Sequence, residues 1–257
     1  MPVTEEEDSA QPAPAGVSHA LHVTWTFVLN GTEVGWLWQR NGRPPLDELQ
    51  PLRIPTASAL NRHVAVTAYS MTNNAALQLE SGLEHDLLRR VDRDPRILHI
   101  VAQPLRLSWK GGPPNRHVPD LLTVSADGSV VVWDVRSSDQ QDDDFNVKSS
   151  IALAACAAVG WQYQVFGGLE PVERINLLWL HGFRRQPTWT VHHRQRIMKI
   201  AKTSGATLGK VLNADDGTGE LKSAVWHLIW CSALDIDIRA RWTEDTAICV
   251  PGMGNSE

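Results

Sequence analysis

Two short apolar runs, Leu121–Ser125 and Val130–Val135, stand on either side of Ala126-Asp127-Gly128-Ser129. Runs this short and rich in β-branched residues, broken by a Gly-containing turn, predict strand, turn, strand. The second run is valine-rich enough to be a central strand, and that limits what the rest of the chain can fold into. Alternation puts Val131, Trp133 and Val135 on one face and Val130, Val132, Asp134 and Arg136 on the other. Charge on a central strand is costly unless it is paired or used. Pro119-Asp120 opens the first strand, and an antiparallel turn brings Asp120 opposite Asp134. Two converging carboxylates suit Mg²⁺, a hard cation that takes carboxylate, water and phosphate oxygens and assists phosphodiester hydrolysis.

A third acid comes from upstream. Leu83, Leu87, Leu88 and Val91 form an apolar stripe at helical spacing, which predicts a helix over roughly Ala76 to Val91 with Glu84 at the rim of the stripe, facing the sheet. Glu80 lies four residues earlier on nearly the same face; the Ser-Gly-Leu-Glu pattern favours Glu84. Singly, each of these residues has an ordinary reading. Asp after Pro is a common turn former, a helical Glu is usually solvated, and Asp-x-Arg is often a surface pair. Only their order along the chain sets them apart.

That order resembles the PD-(D/E)xK restriction-endonuclease-like superfamily, and the longer match resembles its TnsA type, the endonuclease subunit of heteromeric cut-and-paste transposases. The stretches that carry it are Leu79-Glu80-Ser81-Gly82-Leu83-Glu84, Asp92-Arg93-Asp94-Pro95, Ala102-Gln103-Pro104-Leu105, Arg116-His117-Val118-Pro119-Asp120 and Trp133-Asp134-Val135-Arg136. Weaker similarity continues through Gly160–Phe166 and Asn176–Leu180 to Phe183-Arg184-Arg185. The resemblance implies a mixed sheet flanked by helices, with Glu84, Asp120 and Asp134 as metal-binding acids, Gln103 on a strand near the site, and Mg²⁺, or Mn²⁺ in its place, as cofactor. It implies DNA, a strand-transfer transposase and an ATPase regulator as partners. Arg136 stands where the family has Lys. Arginine keeps the charge but cannot act as a general base, so either the charge suffices or the activity is weakened. Lys148, twelve residues later, is a conceivable substitute or an ordinary surface lysine.

Charge and cysteine content exclude several classes. The net charge is −5, most of it from Glu5, Glu6, Glu7 and Asp8, which argues against unspecific coating of nucleic acid and makes any DNA contact local. Cys156, Cys231 and Cys249 form no CxxC pair, so neither a zinc site nor a disulfide framework is indicated. No apolar run approaches the roughly 18 residues of a membrane span, and the acidic N-terminus is unlike a signal peptide. The expectation is a soluble, cytoplasmic protein.

The remaining chain divides by composition. Residues 1–18 form an acidic Pro/Ala-rich tail expected to be disordered. Residues 19–61 form an annex with a hairpin about Asn30-Gly31, followed by a loop at Asn41-Gly-Arg-Pro-Pro. Residues 62–185 form the nuclease domain, with a helix over Phe145–Val159 capped by Asp144. Residues 186–257 read as three helices (192–203, 207–213 and 219–234) and a two-stranded wing (236–241 with 246–250), a winged-helix-like order. Arg184, Arg185, Arg194, Arg196, Lys199 and Lys202 make a basic concentration without an acid, of which the first five are candidates for phosphate contact. His192-His193 point apart on a helix and do not make a metal pair. Trp161, Trp179, Trp226 and Trp230 sit on apolar faces and read as core. The function that follows is Mg²⁺-dependent cleavage of one DNA strand at each transposon end. A restriction or repair nuclease with the same core is the first alternative, and a non-catalytic DNA-binding or assembly subunit is the second.

Overall fold

A computed structural model describes residues 23–52, 66–110 and 115–252. The acidic tail at 1–18 and the end of the chain, 253–257, lie outside the described residues, as does part of the annex. The chain begins with β1 (Thr24–Leu29) and β2 (Thr32–Trp36), paired antiparallel with Trp25 opposite Trp36. Asn30 (φ 50°) and Gly31 (φ 75°) make the turn. Two consecutive left-handed residues match the twist of a two-residue hairpin, which is why Asn-Gly was a strong signal. One helical turn, α1 (Trp38–Asn41), precedes the expected loop and shares only Asn41 with it. β3 (Leu49–Gln50) pairs with β1.

β4 (Val66–Ser70) and β5 (Ala75–Leu79) form a second hairpin, followed by α2 (Gly82–Asp92). The helix expected from Ala76 therefore starts later, and Ala75–Leu79 is a strand. Leu77 and Leu79 alternate inward to the core, a period of two that the helical stripe further on concealed. Ser81 accepts from the Glu84 backbone N–H, so the helix is capped there.

Four further strands are β6 (Ile97–Ala102), β7 (Leu105–Ser108), β8 (Arg116–His117) and β9 (Leu121–Ser125). β10 (Val130–Val135), α3 (Asp143–Ala158) and β11 (Gln162–Phe166) complete this part. One sheet runs β2-β1-β7-β8; the other runs β11-β10-β9-β6. In the second sheet β10 and β11 are parallel, joined across α3, while β6, β9 and β10 are antiparallel neighbours. The result is an α/β fold with a mixed sheet flanked by helices, which matches a restriction-endonuclease-like core.

The two faces of that sheet have different partners. Val130, Val132, Leu122 and Val101 pack with Ile151, Ala152, Ala155 and Cys156 of α3, and with Trp25, Phe27, Leu105 and Leu107 of the first sheet. Small residues on α3 let its backbone approach the strands closely. On the other face, Leu121, Ile100, Ala102 and Phe166 pack with Leu87, Leu88 and Val91 of α2, and with the β4–β5 hairpin through Ala68, Leu77 and Leu79. Each fully buried aliphatic side chain contributes about 1.5–3 kcal/mol. The annex hairpin thus shares its core with the central sheet. Asp142, not Asp144, caps α3, accepting from the Phe145 N–H at 2.8 Å.

After β11 come α4 (Pro171–His181), α5 (Thr190–Ala201), α6 (Leu208–Leu212) and α7 (Glu220–Trp230). Leu180, Ile197, Val211, Ala224, Val225 and Leu228 are among the residues of their common core. The expected wing is not formed as paired strands. Only the isolated bridges Asp235–Cys249 and Thr207–Ala247 occur there, because the intervening residues fold into turns held by the Trp242 Nε1–H to Asp237 carbonyl and Thr243 N–H to Thr246 Oγ1 bonds. Trp161 and Trp230 are core residues as expected, but Trp179 is 52 % exposed; it lies on the outer side of α4 against Phe183 and Trp226. No helix among the described residues is long and apolar enough to cross a membrane.

Candidate metal centre

The start of α2 builds the first part of the site. Ser81 Oγ accepts from the Glu84 N–H and also bonds Glu84 Oε1 at 3.0 Å, while the Glu80 N–H donates to Glu84 Oε2 at 2.9 Å. This is a capping box shifted by one residue. It fixes the Glu84 carboxylate, which is 3 % exposed, beside the positive end of the helix.

Asp120 comes immediately before β9. Its backbone N–H donates to the Trp133 carbonyl, and its Oδ2 accepts from the Val135 N–H at 2.6 Å. The side chain therefore takes the place of a backbone acceptor where the ladder ends, and the carboxylate is set at the edge of the sheet. Carboxylate oxygens of Glu80, Glu84 and Asp120 lie within 4.8 Å of one another. Burial pushes the Asp120 carboxyl well above its ordinary range, and the charges of Asp134, Glu84 and Glu80 add to the rise. Three acids that repel one another in a desolvated position are relieved by a proton or by a cation.

The donor set fits a divalent cation. Three oxygens bound at about 2.1 Å stand about 3.0 Å apart in cis positions and about 4.2 Å in trans, which small side-chain movements reach from the separations here. Gln103 supplies a second sign. Its Nε2 donates to Glu84 Oε2 at 3.4 Å, and its buried Oε1 has no hydrogen-bond partner among the described residues. Its backbone is left-handed, φ 41°, a conformation that costs a non-glycine residue of order 1–3 kcal/mol and clusters at functional sites. The Gln103 N–H donates to the Asp120 carbonyl, and its own carbonyl accepts from the Leu52 N–H. The strained residue is thus tied to two members of the acidic cluster.

Of the three acids expected to bind metal, Glu84 and Asp120 come together and Glu80 joins them, while Asp134 does not. Asp134 stands on the face of β10 that carries Val130 and Val132, and is 1 % exposed. His117 Nε2 lies 2.7 Å from its Oδ2, and the Tyr163 hydroxyl donates to the same oxygen. Burial and this carboxylate push the Tyr163 hydroxyl up, and they push the Cys156 thiol up to about 12. Asp134 nevertheless acts on Asp120 through its charge. His117 and Tyr163 are not among the residues that the sequence points to. The one available signal was Tyr163, which falls opposite Val132 in the parallel register, on the Asp134 face.

Arg136 directly follows β10, and its side chain reaches the residues that lead into and open α3. Its Nε donates to the Gln140 carbonyl at 2.9 Å, an Nη lies 4.0 Å from Asp142, and the guanidinium stands over the Phe145 ring. Lys148 is paired with Asp144 at 2.5 Å. The basic residues further on separate into two kinds. Arg184 is half-buried beside His85, Arg89 and His181, where burial lowers both histidines to about 4, with the cationic arginines adding to the effect. Arg185 stacks on Tyr69, and Arg194, Arg196 and Lys199 are exposed on α5. His193 reaches Glu220, not a metal-ligand set. The three cysteines are free.

The α/β core and the clustered acids are consistent with a PD-(D/E)xK-like nuclease fold and with a metal-dependent hydrolase. No model of a known protein family matches the chain, and no curated protein matches it.

Proposed function

We propose that the chain is a Mg²⁺-dependent DNA endonuclease subunit of a heteromeric cut-and-paste transposase, cleaving one strand at each transposon end. The observation that carries the hydrolase part is the convergence of Glu80, Glu84 and Asp120 at the edge of a β11-β10-β9-β6 mixed sheet. The transposase part rests on the order of motifs from Glu84 to Arg136. Glu80, Glu84 and Asp120 would hold the ion, which when bound supplies a more acidic water and positive charge for phosphate oxygens. The Val135 N–H keeps Asp120 in place, and the Gln103 amide orients Glu84. Asp134 bears on the site through its charge on Asp120. Arg136, and the exposed Arg185, Arg194, Arg196 and Lys199, would supply charge to the DNA backbone.

A second reading has a specific observation behind it. The β10 residues directed to the α2 face are Trp133 and Val135, whereas Asp134 and Arg136 have partners of their own. That favours a subunit that binds metal and DNA but cuts weakly or not at all. Nicking of end-bearing DNA with Mg²⁺ or Mn²⁺, by this chain together with its transposase and ATPase partners, separates the two. Metal-dependent nicking that disappears in Asp120→Asn supports the endonuclease; its absence in the complete mixture leaves the binding subunit.

A further inference from the structure

A cavity lies on the Asp134 side of the sheet. It measures about 410 Å³ and is lined by Glu33, Leu52, Arg106, Arg116, His117, Val118 and Lys148. The first sheet and α3 build it. Arg106 lies on β7, and Arg116 and His117 form β8, the next strand. Lys148 comes from the second turn of α3. Two arginines and a lysine thus face one space, against one lining acid among the described residues, Glu33.

The existing contacts only partly neutralise this charge. Arg106 is paired with Glu33 at 2.7 Å and Lys148 with Asp144 at 2.5 Å, each with its acid about half exposed, so that solvent weakens the pair. Arg116 is exposed and has no ion pair with a described residue. His117 is fixed through Nε2 to the buried Asp134, so its ring has a set orientation at the cavity wall. A volume of this size admits a nucleotide-sized group, and a guanidinium fork with a neighbouring ammonium is the arrangement that phosphate oxygens select.

We infer that the cavity formed by Arg106, Arg116, His117 and Lys148 is a phosphate-binding site, separate from the acidic cluster and linked to it through His117, Asp134 and Asp120. Its phosphate comes either from a polynucleotide backbone or from a free nucleotide. The polynucleotide source rests on the nuclease reading, and the free-nucleotide source does not. A backbone phosphate held here would give the strand a second anchor on the far side of Asp120. The site would then fix the position of the strand relative to the metal centre.

The test is binding in EDTA, so that cutting plays no part. Fluorescence anisotropy follows a labelled single-stranded oligonucleotide and a labelled duplex as salt is varied, with the native chain, Arg116→Gln, Arg116→Gln/Lys148→Gln and Asp120→Asn. A backbone site is expected to lose about tenfold or more in affinity in the double variant, and its log–log salt slope to fall by roughly 1.4 to 1.8 for two contacts; Asp120→Asn keeps native binding or better. A free-nucleotide site instead binds a labelled nucleoside monophosphate, which inorganic phosphate displaces from the native chain and which the double variant fails to hold. Arg116→Gln alone, at an exposed position, shows the same direction if the double variant melts early. Unchanged affinity and slope for every ligand in both variants would overturn the inference. Metal-dependent cleavage is measured separately, so a chain that binds here but never cuts would count against the endonuclease reading alone.

Discussion

Asp120→Asn removes a charge while keeping a shape. The asparagine carbonyl oxygen can still accept from the Val135 N–H, the bond that holds Asp120 at the end of the ladder. What disappears is repulsion. At the 4.8 Å limit of the acidic cluster and an effective dielectric of about 20, each pair of ionised carboxylates repels by roughly 3.5 kcal/mol. Partial protonation of Asp120 and solvent around Glu80 remove most of this, and a net gain of about 1–2 kcal/mol for the metal-free variant is expected. For a chain of this size that raises Tm by roughly 2–8 °C. The pH dependence fixes the cause. Because the Asp120 carboxyl titrates higher folded than unfolded, the folded state holds the extra proton, so native stability falls as pH rises from the ordinary carboxyl range through the raised one. The advantage of Asp120→Asn should therefore be absent at pH 4 and below, grow with pH, and level off once Asp120 is ionised. Thermal melts in EDTA across pH 4–8 measure it, and adding Mn²⁺ should stabilise the native chain while leaving the variant nearly unmoved. A variant that melts below the native chain at pH 8 in EDTA, or one that gains equally from Mn²⁺, would refute the reasoning.

Other consequences can be checked in parallel. Glu84→Gln should cost cleavage about 10²-fold or more through the metal and about 1 kcal/mol of stability through the cap, whereas Glu80→Gln should cost cleavage without the stability loss; a nicking assay beside a denaturant melt separates them. His117→Ala leaves a buried carboxylate with one fewer partner and should destabilise by about 3 kcal/mol, with His117→Gln milder; equal stability of all three chains in urea would contradict the Asp134 network. If Arg136 acts through charge, Arg136→Lys should keep substantial nicking and Arg136→Ala should lose about 10²-fold, while near-native nicking by Arg136→Ala would restrict Arg136 to holding the start of α3. His85 and His181 titrate near 4 when folded and near 6.5 when unfolded, so the unfolded chain takes up protons first and stability is lost as pH falls from about 6.5 towards 4. His181→Asn should flatten that limb of the melt, and an unchanged limb would contradict it.

The strands around Asp120 were legible because period-two alternation, a Gly turn and a valine-rich run all pointed the same way. β9 and β10 have the expected bounds, and Asp134 lies on the expected face. The Asn30-Gly31 hairpin was legible for the same reason. The start of α2 was not, because Leu77 and Leu79 at strand spacing run into Leu83, Leu87 and Leu88 at helical spacing, and only the Ser81 cap marks the change. The acidic cluster was half legible. Glu84 and Asp120 followed from order, but the entry of Glu80 depends on the Glu80 N–H bonding back to Glu84, a contact that spacing does not specify. Asp134 was placed on the right face, but its partners lay out of reach: His117 comes from another sheet. The wing failed because two apolar runs close in sequence need paired backbones to become strands, and here turns take those bonds.

Binding of a divalent cation by Glu80, Glu84 and Asp120 can be measured directly. Titration of the metal-free native chain with Mn²⁺ at pH 6, followed by calorimetry in two buffers of different ionisation enthalpy, measures the binding and the proton released with it. Saturable binding with proton release is expected, abolished in Asp120→Asn and Glu84→Gln. Equal Mn²⁺ affinity in the native chain and both variants would contradict the account.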